Sequence, residues 1–285
     1  MATIDRDGVH IYYETHGDAG EPVLLLMGLG TDAHGWEFQV PVLAARHRVI
    51  LVDNRGIGRS GKPPGPYTTA LLAADALAVL DAVNVARAHV VGLSMGGMIA
   101  QEIALAAPAR VGALVLAATY ARPGHEVGRT INEGALGIAG MPSPDAILGG
   151  QPIDLSKVDV GQIFRFLMPL IFSPRFLSEQ QQYLAEFFMR SMAYGFTVEG
   201  LVGQIAATMA HDAAARLPSL ALPTMVMTGT ADRLVPPHHS DELASLIPGA
   251  RLVRLEGEGA THGLNWEKAE EFNRALLDFL GEHPL

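Results

Sequence analysis

The chain is predicted to be an α/β protein: a mostly parallel, doubly wound sheet carrying one long helical insertion. Three observations lead there. Short apolar runs alternate with longer helical patterns through residues 1–121, the alternation stops over residues 122–212, and it resumes over residues 213–285. Regular strand–helix alternation is what a parallel sheet requires, because each parallel return needs a crossover, usually a helix. Residues 1–121 and 213–285 are therefore expected to form one sheet domain, with 122–212 inserted into it.

Taken in order, residues 9–15 read as an edge strand with partial alternation. Residues 22–27 are a continuous apolar run stopped by Gly28, as in a strand buried on both faces. A helix is expected over 36–46 and a second buried strand over 48–53. Residues 54–66 are dense in glycine and proline and read as loop. The segment 68–83 reads as a helix, with Thr69 as N-cap and Leu72, Ala76, Val79 and Leu80 at three-to-four spacing. Strands follow at 89–93 and 111–118, separated by a helix over 95–107 that Pro108 ends. Within the insertion no strand pattern stands out, and 179–193 and 198–210 read as helices. After it come strands at 224–228 and 251–255, each followed by a helix, at 240–247 and 267–280.

Composition narrows the function classes. With 285 residues, 49% apolar and 18% charged, the chain has a globular composition rather than a disordered one. Thirty acidic against 20 basic residues give a net charge of -10, and no basic run occurs, so a nucleic-acid partner is not expected. The absence of cysteine excludes disulfides, iron–sulfur clusters and Cys-ligated zinc, and is consistent with a reducing compartment. The first residues lack the apolar stretch of a signal peptide, and apolar runs fall well short of the ~20 residues a membrane-spanning helix needs. A cytoplasmic protein with no membrane partner is expected.

The chemistry is read at the strand ends. Gly92-Leu93-Ser94-Met95-Gly96 lies between a buried strand and a helix. A serine there sits on a tight turn that small neighbours permit, with its hydroxyl above a helix N-terminus whose amides favour negative charge. Read alone, the same serine could be an ordinary helix cap. A serine nucleophile needs a base, and the base needs a partner that holds its tautomer. Of 11 histidines, His47, His89, His238 and His239 sit where ordinary structural roles suffice, whereas His262 lies in a small-residue loop directly after the last strand. Asp232 lies in the loop after the preceding strand, and in an open parallel sheet such loops meet over one edge.

The order Ser94, Asp232, His262, each in a loop after a strand, resembles the α/β-hydrolase fold superfamily over essentially the whole chain outside 122–212. That resemblance implies that 122–212 is a helical cap over the active site. Some members carry the acid after the sixth strand, but Ala117-Ala118-Thr119-Tyr120-Ala121 has none, which favours Asp232. It also implies an oxyanion hole from the backbone N–H groups of Met95 and Leu29, although this chain has Met27-Gly28 where many relatives have His-Gly. The segments around Gly28 to Trp36 and Asp53 to Ser60 look most like the 3-oxoadipate enol-lactonase and small-ester hydrolase group, with the Asp and Arg of the second segment bracing the loop. Substrate-pocket candidates are Gly28, Trp36, Met141, Met168 and Leu264. The apolar segment Phe164 to Phe172 is expected to serve first as packing between cap and sheet domain.

Two other patterns are set aside. Gly56-Ile57-Gly58-Arg59-Ser60-Gly61 spells a dinucleotide fingerprint, but Lys62-Pro63-Pro64 forbids the helix that reading needs. His238-His239 lacks helical ligand spacing, so no metal is expected, and no cofactor either. The expected function is therefore a serine hydrolase acting on a small carboxylic ester or lactone with an apolar moiety. C–C bond hydrolysis, perhydrolysis or cofactor-free oxygenation on the same triad, and a receptor with a hydrolase-like pocket, are the alternatives. Oligomeric state is open; an exposed apolar cap face could support a homodimer.

Overall fold

The computed structural model describes residues 2–124, 126, 127, 130, 154, 158–195 and 197–285. Eight strands form one sheet: β1 (Ala2–Arg6), β2 (Val9–His16), β3 (Pro22–Leu26), β4 (Arg48–Val52), β5 (Ala88–Leu93), β6 (Val111–Ala117), β7 (Thr224–Gly229) and β8 (Arg251–Leu255), in the order β1-β2-β4-β3-β5-β6-β7-β8. Strands β3 to β8 are all parallel to one another, whereas β1 and β2 pair antiparallel at one edge. The fold is thus the expected α/β arrangement, with one strand more than the sequence suggested. Residues 9–15 are not the edge: β1 covers them, a short polar strand whose alternating half-exposed pattern carries little hydrophobic signal.

Period-two alternation assigns the inner strands to two cores. Leu24, Leu26, Ile50, Val52, Val90, Leu114 and Leu116 face one side, where α2 (Thr69–Ala82) and α3 (Met95–Ala106) pack. Val23, Leu25, Val49, Leu51, Val91, Val115 and Met225 face the other, against Trp36 and the apolar stripe Phe272, Leu276, Phe279 and Leu280 of the last helix, Ala269–Glu282. Because β3 to β8 run in one direction, the loops that follow them emerge over the same edge.

Details differ from the sequence reading at helix ends. Thr68, not Thr69, caps α2, accepting from the Leu71 N–H at 3.0 Å. The helix expected over 36–46 is a short 3-10 turn, Ala33–Trp36, followed by α1 (Val40–Ala44), with Pro41 at its start. Between β6 and β7 the described helices are α4 (Val160–Ile171), α5 (Pro174–Glu179), α6 (Gln181–Ala193) and α7 (Val198–Met209); α8 (Pro237–Leu246), α9 (Leu264–Glu267) and α10 (Ala269–Glu282) follow in the last third. Among the described residues no helix is long and apolar enough to cross a membrane.

The C-terminal end of α7 is tied into the sheet domain by a buried histidine. His211 Nδ1 faces Thr69 Oγ1 at 3.0 Å and its Nε2 faces Gln101 Oε1 at 3.3 Å, a pairing that suits the neutral ring with its proton on Nε2. Burial pushes its pKa down from 6.5 to about 4, opposed by nearby Glu102. The unfolded chain therefore binds a proton that the folded chain refuses, and stability falls as pH drops from the ordinary histidine range through about 4. The contribution is on the order of 3 kcal/mol. Urea denaturation from neutral to mildly acidic pH should show a shallower loss of stability in His211→Gln than in the wild type.

Candidate active site

Ser94 terminates β5 and precedes the first residue of α3 in a conformation that L-residues avoid, φ 55° and ψ -120°. The glycines two positions either side make that turn possible. A Cβ on Gly92 would lie 2.1 Å from the Gly96 carbonyl oxygen, and one on Gly96 would lie 2.0 Å from that of Leu26. Two hydrogen bonds to the neighbouring strand and its loop then hold the backbone: Ser94 N–H donates to Ala117 C=O at 2.9 Å, and Thr119 Oγ1 donates to Ser94 C=O at 2.8 Å.

The loops after β7 and β8 bring the carboxylate and the imidazole together. Asp232 Oδ2 lies 2.8 Å from His262 Nδ1, and both residues are buried. The other carboxylate oxygen accepts the N–H groups of Leu234 at 2.9 Å and Val235 at 2.8 Å, so the acid cannot swing away from the ring. With Nδ1 facing a carboxylate, the ring proton belongs there and Nε2 carries the lone pair. Ser94 and His262 line one common cavity.

That cavity has a volume of about 130 Å³. It is walled by the loop Met27 to Thr31, by Leu93, Met98, Tyr120 and Val235 of the sheet domain, and by side chains of α4 and α6, among them Phe164, Met168, Phe187 and Met192. Phe172, Trp266 and Phe187 form an aromatic cluster beside His262, with ring centroids 4.7 to 5.2 Å from Trp266. Among the described lining residues there is no Asp, Glu, Lys or Arg.

Of the residues singled out in the sequence, Ser94, His262, Gly28, Leu29 and Met168 line this cavity, and Asp232 stands behind His262. Met95 is fully buried at the first turn of α3, and neither its N–H nor that of Leu29 is spent on a hydrogen bond to a described residue. Trp36 and Leu264 do not line the cavity. Both are fully buried in the core on the opposite face of the sheet, because the 3-10 turn and α9 direct them inward. Met141 lies outside the described residues.

Sequence reading missed the residues that hold the loops in place. Buried Gln204 of α7 accepts the Gly30 N–H with its Oε1 at 2.9 Å and donates from Nε2 to the Arg55 C=O at 2.9 Å, clamping the Leu29 loop to the loop after β4. Asp53 accepts the Ala33 N–H at 2.9 Å and the Arg59 N–H at 2.8 Å, and Arg55 pairs with Asp75 through two 2.8 Å bonds, so the acidic and basic residues of that segment do brace it. The loop carrying His262 is tied to the insertion by the Gly263 N–H on Ile171 C=O at 2.8 Å and by Glu267, which receives the Ser173 N–H at 2.9 Å. A glutamine inside an amphipathic helix gives no sequence sign of its partners, 149 and 174 residues away.

The pattern of strands, the glycine-flanked serine turn and the paired aspartate and histidine coincide with a family model described as the alpha/beta hydrolase fold, which matches residues 21–269. The chain belongs to the alpha/beta hydrolase fold family. It is 36% identical over 272 residues to a protein of Azorhizobium caulinodans that carries the name carbamate hydrolase RutD, the match covering 95% of each. Among solved structures it is similar to a hydrolase from Pseudomonas aeruginosa PA01, at 34% identity and a TM-score of 0.83 over 98% of both chains. It is also similar to the enol-lactonase from Burkholderia xenovorans LB400, at 29% identity and a TM-score of 0.78, covering 98% of this chain and 100% of that one. This member of the family is an enzyme, a hydrolase.

Its clamp is directly testable. Gln204→Ala strands the Gly30 N–H and the Arg55 C=O, which should cost about 1–3 kcal/mol of stability. Equilibrium urea unfolding of the variant beside the wild type measures the loss.

Proposed function

We propose that the chain is a serine hydrolase that cleaves a small carboxylic ester or lactone with an apolar acyl moiety. The observation that carries the reading is the sharing of one apolar cavity by a serine on a strained turn and a histidine already paired with a buried aspartate. Ser94 Oγ attacks the carbonyl while His262 Nε2 takes its proton, and Asp232 holds the ring and stabilises the imidazolium. The amides of Leu29 and Met95 receive the oxyanion, the second reinforced by the N-terminus of α3. His262 returns the proton to the leaving oxygen, and a water molecule, deprotonated by the same ring, releases the acid from the acyl-enzyme.

Residues 122–212 are read as the cap that closes this site. The Ala213 N–H donates to the Ala121 C=O at 2.9 Å, so the ends of the insertion meet at one point of the sheet domain, and side chains of α4 and α6 wall the cavity. The lining also bears on substrate. A carbamate anion would be expected to need a cationic partner, and the described wall supplies none, whereas phenyl and thioether groups accept an alkyl or aryl acyl chain. The cavity is smaller than the ~300–1,000 Å³ typical of sites for drug-sized ligands, which suits a small substrate.

Ser94→Ala should lower kcat on an activated ester by several orders of magnitude while leaving the melting temperature near that of the wild type. A fluorophosphonate should label the wild type at Ser94 alone, as peptide mass spectrometry would locate; an unlabelled serine in active protein would end the proposal. Across p-nitrophenyl esters, kcat/KM should rise from acetate to butyrate. Faster turnover of carbamate than of every ester would refute the apolar-acyl assignment and leave the triad standing.

A further inference from the structure

Outside the cavity, three metal-ligating side chains converge from distant parts of the chain. We infer that Glu126, His238 and His239 form a binding site for a divalent transition-metal ion of the zinc type, which pins the start of the insertion to α8. Glu126 Oε1 lies 2.7 Å from His238 Nε2 and 2.9 Å from His239 Nε2, and one ligand atom from each residue falls within 4.8 Å of the others. Two imidazoles and a carboxylate form a donor set suited to zinc, which takes three protein ligands plus water at open sites.

The surroundings are arranged for this. His239 is 3% exposed, packs against the Tyr120 ring at 6.0 Å and is carried just inside α8, where Pro236 and Pro237 restrict the backbone. His238 and Glu126 are solvent-accessible and able to adjust. Bonds of ~2.0–2.2 Å to a tetrahedral ion separate ligand atoms by roughly 3.3 Å, so each of the two short contacts must open by about half an ångström. Gly124 keeps the space clear, since a Cβ there would lie 2.5 Å from His239 Cε1, 2.9 Å from its Nε2 and 3.0 Å from Glu126 Oε1. His239 Nε2 faces the Glu126 carboxylate, so in the metal-free chain the ring proton sits there, and an ion would displace it to Nδ1, which is buried and has no hydrogen-bond partner among the described residues.

The site is distinct from the catalytic reading yet close to it. Val127, next to Glu126, and Val235, three residues before His238, both line the cavity, and the Val235 N–H holds Asp232. An ion joining these segments would fix the cap's point of departure relative to the loop that carries the acid.

Isothermal titration calorimetry of zinc chloride into the EDTA-treated full-length chain tests this. One ion per chain should bind, and Glu126→Gln and His238→Ala should each weaken binding at least ten-fold, because even outer-shell losses commonly cost about 10–100-fold. Both positions are solvent-accessible, and unchanged metal-free melting curves would show that the variants fold. His16→Ala, which removes the exposed histidine beside Glu14, should leave the affinity unchanged. Absence of stoichiometric binding, or binding undiminished in either Glu126→Gln or His238→Ala, would overturn the site.

Discussion

The left-handed backbone of Ser94 is the constraint on which the rest of the molecule depends. A residue at φ 55° and ψ -120° costs on the order of 1–3 kcal/mol relative to relaxed backbone, and it persists only where its surroundings over-determine it. Here β5 enters from the centre of the parallel sheet, α3 leaves with its first turn fully buried, and Gly92 and Gly96 let backbone meet backbone with no space for a side chain. Any relaxation of the turn would push α3 off the sheet. The strain is therefore locked by the packing of α3, buried along most of its length, and the serine hydroxyl is presented at the sheet edge as a consequence.

The insertion is bound to this edge more intimately than a loose lid would be. Gln204 supplies hydrogen bonds to two loops of the sheet domain, Glu267 joins the stretch following His262 to the cap of α5 at Ser173, and His211 fastens the end of α7 beneath α2. Gln204 and His211 are buried and Glu267 is partly buried, and all three are satisfied across the boundary between the segment joining β6 to β7 and the sheet; breaking a buried bond of this kind strands its partner in a dry environment. The loop that carries Leu29 is thus held from above by the insertion and from the side by Asn54, whose amide donates to Met27 C=O at 3.0 Å. The geometry around Ser94 in this sense depends on residues both before β7 and within the sheet.

The cavity that results combines a polar floor with apolar walls. Ser94 and His262 are among its polar groups, and the aromatic rings clustered on Trp266 form part of its wall. Low polarity in the walls strengthens the aspartate–imidazole interaction and the field of the helix terminus alike. The same low polarity disfavours burial of an unpaired charge in the cavity.

How much of this the sequence discloses depends on the range of the interactions. Strand and helix identity follow from local periodicity, and so do the parallel sheet, the insertion and the serine turn with its glycines. His262 stands out because small residues surround it directly after a strand. Local pattern misplaces Thr69, Trp36 and Leu264. A shift of one residue at a helix start exchanges a cap for a buried hydrogen-bond partner of His211, and a short 3-10 turn sends Trp36 to the far core. The sequence by itself determined the fold class and the chemical candidates at the strand ends, since these rest on contacts between near neighbours and on the regular repeat of a strand or helix. Tertiary structure alone decided that Gln204 clamps the Leu29 loop, that aromatic rings gather beside His262, and that Glu126 reaches His238 and His239 from 112 and 113 residues away. Those are meetings between segments whose separation in the chain carries no periodic trace, and only the packed molecule brings them within bonding distance.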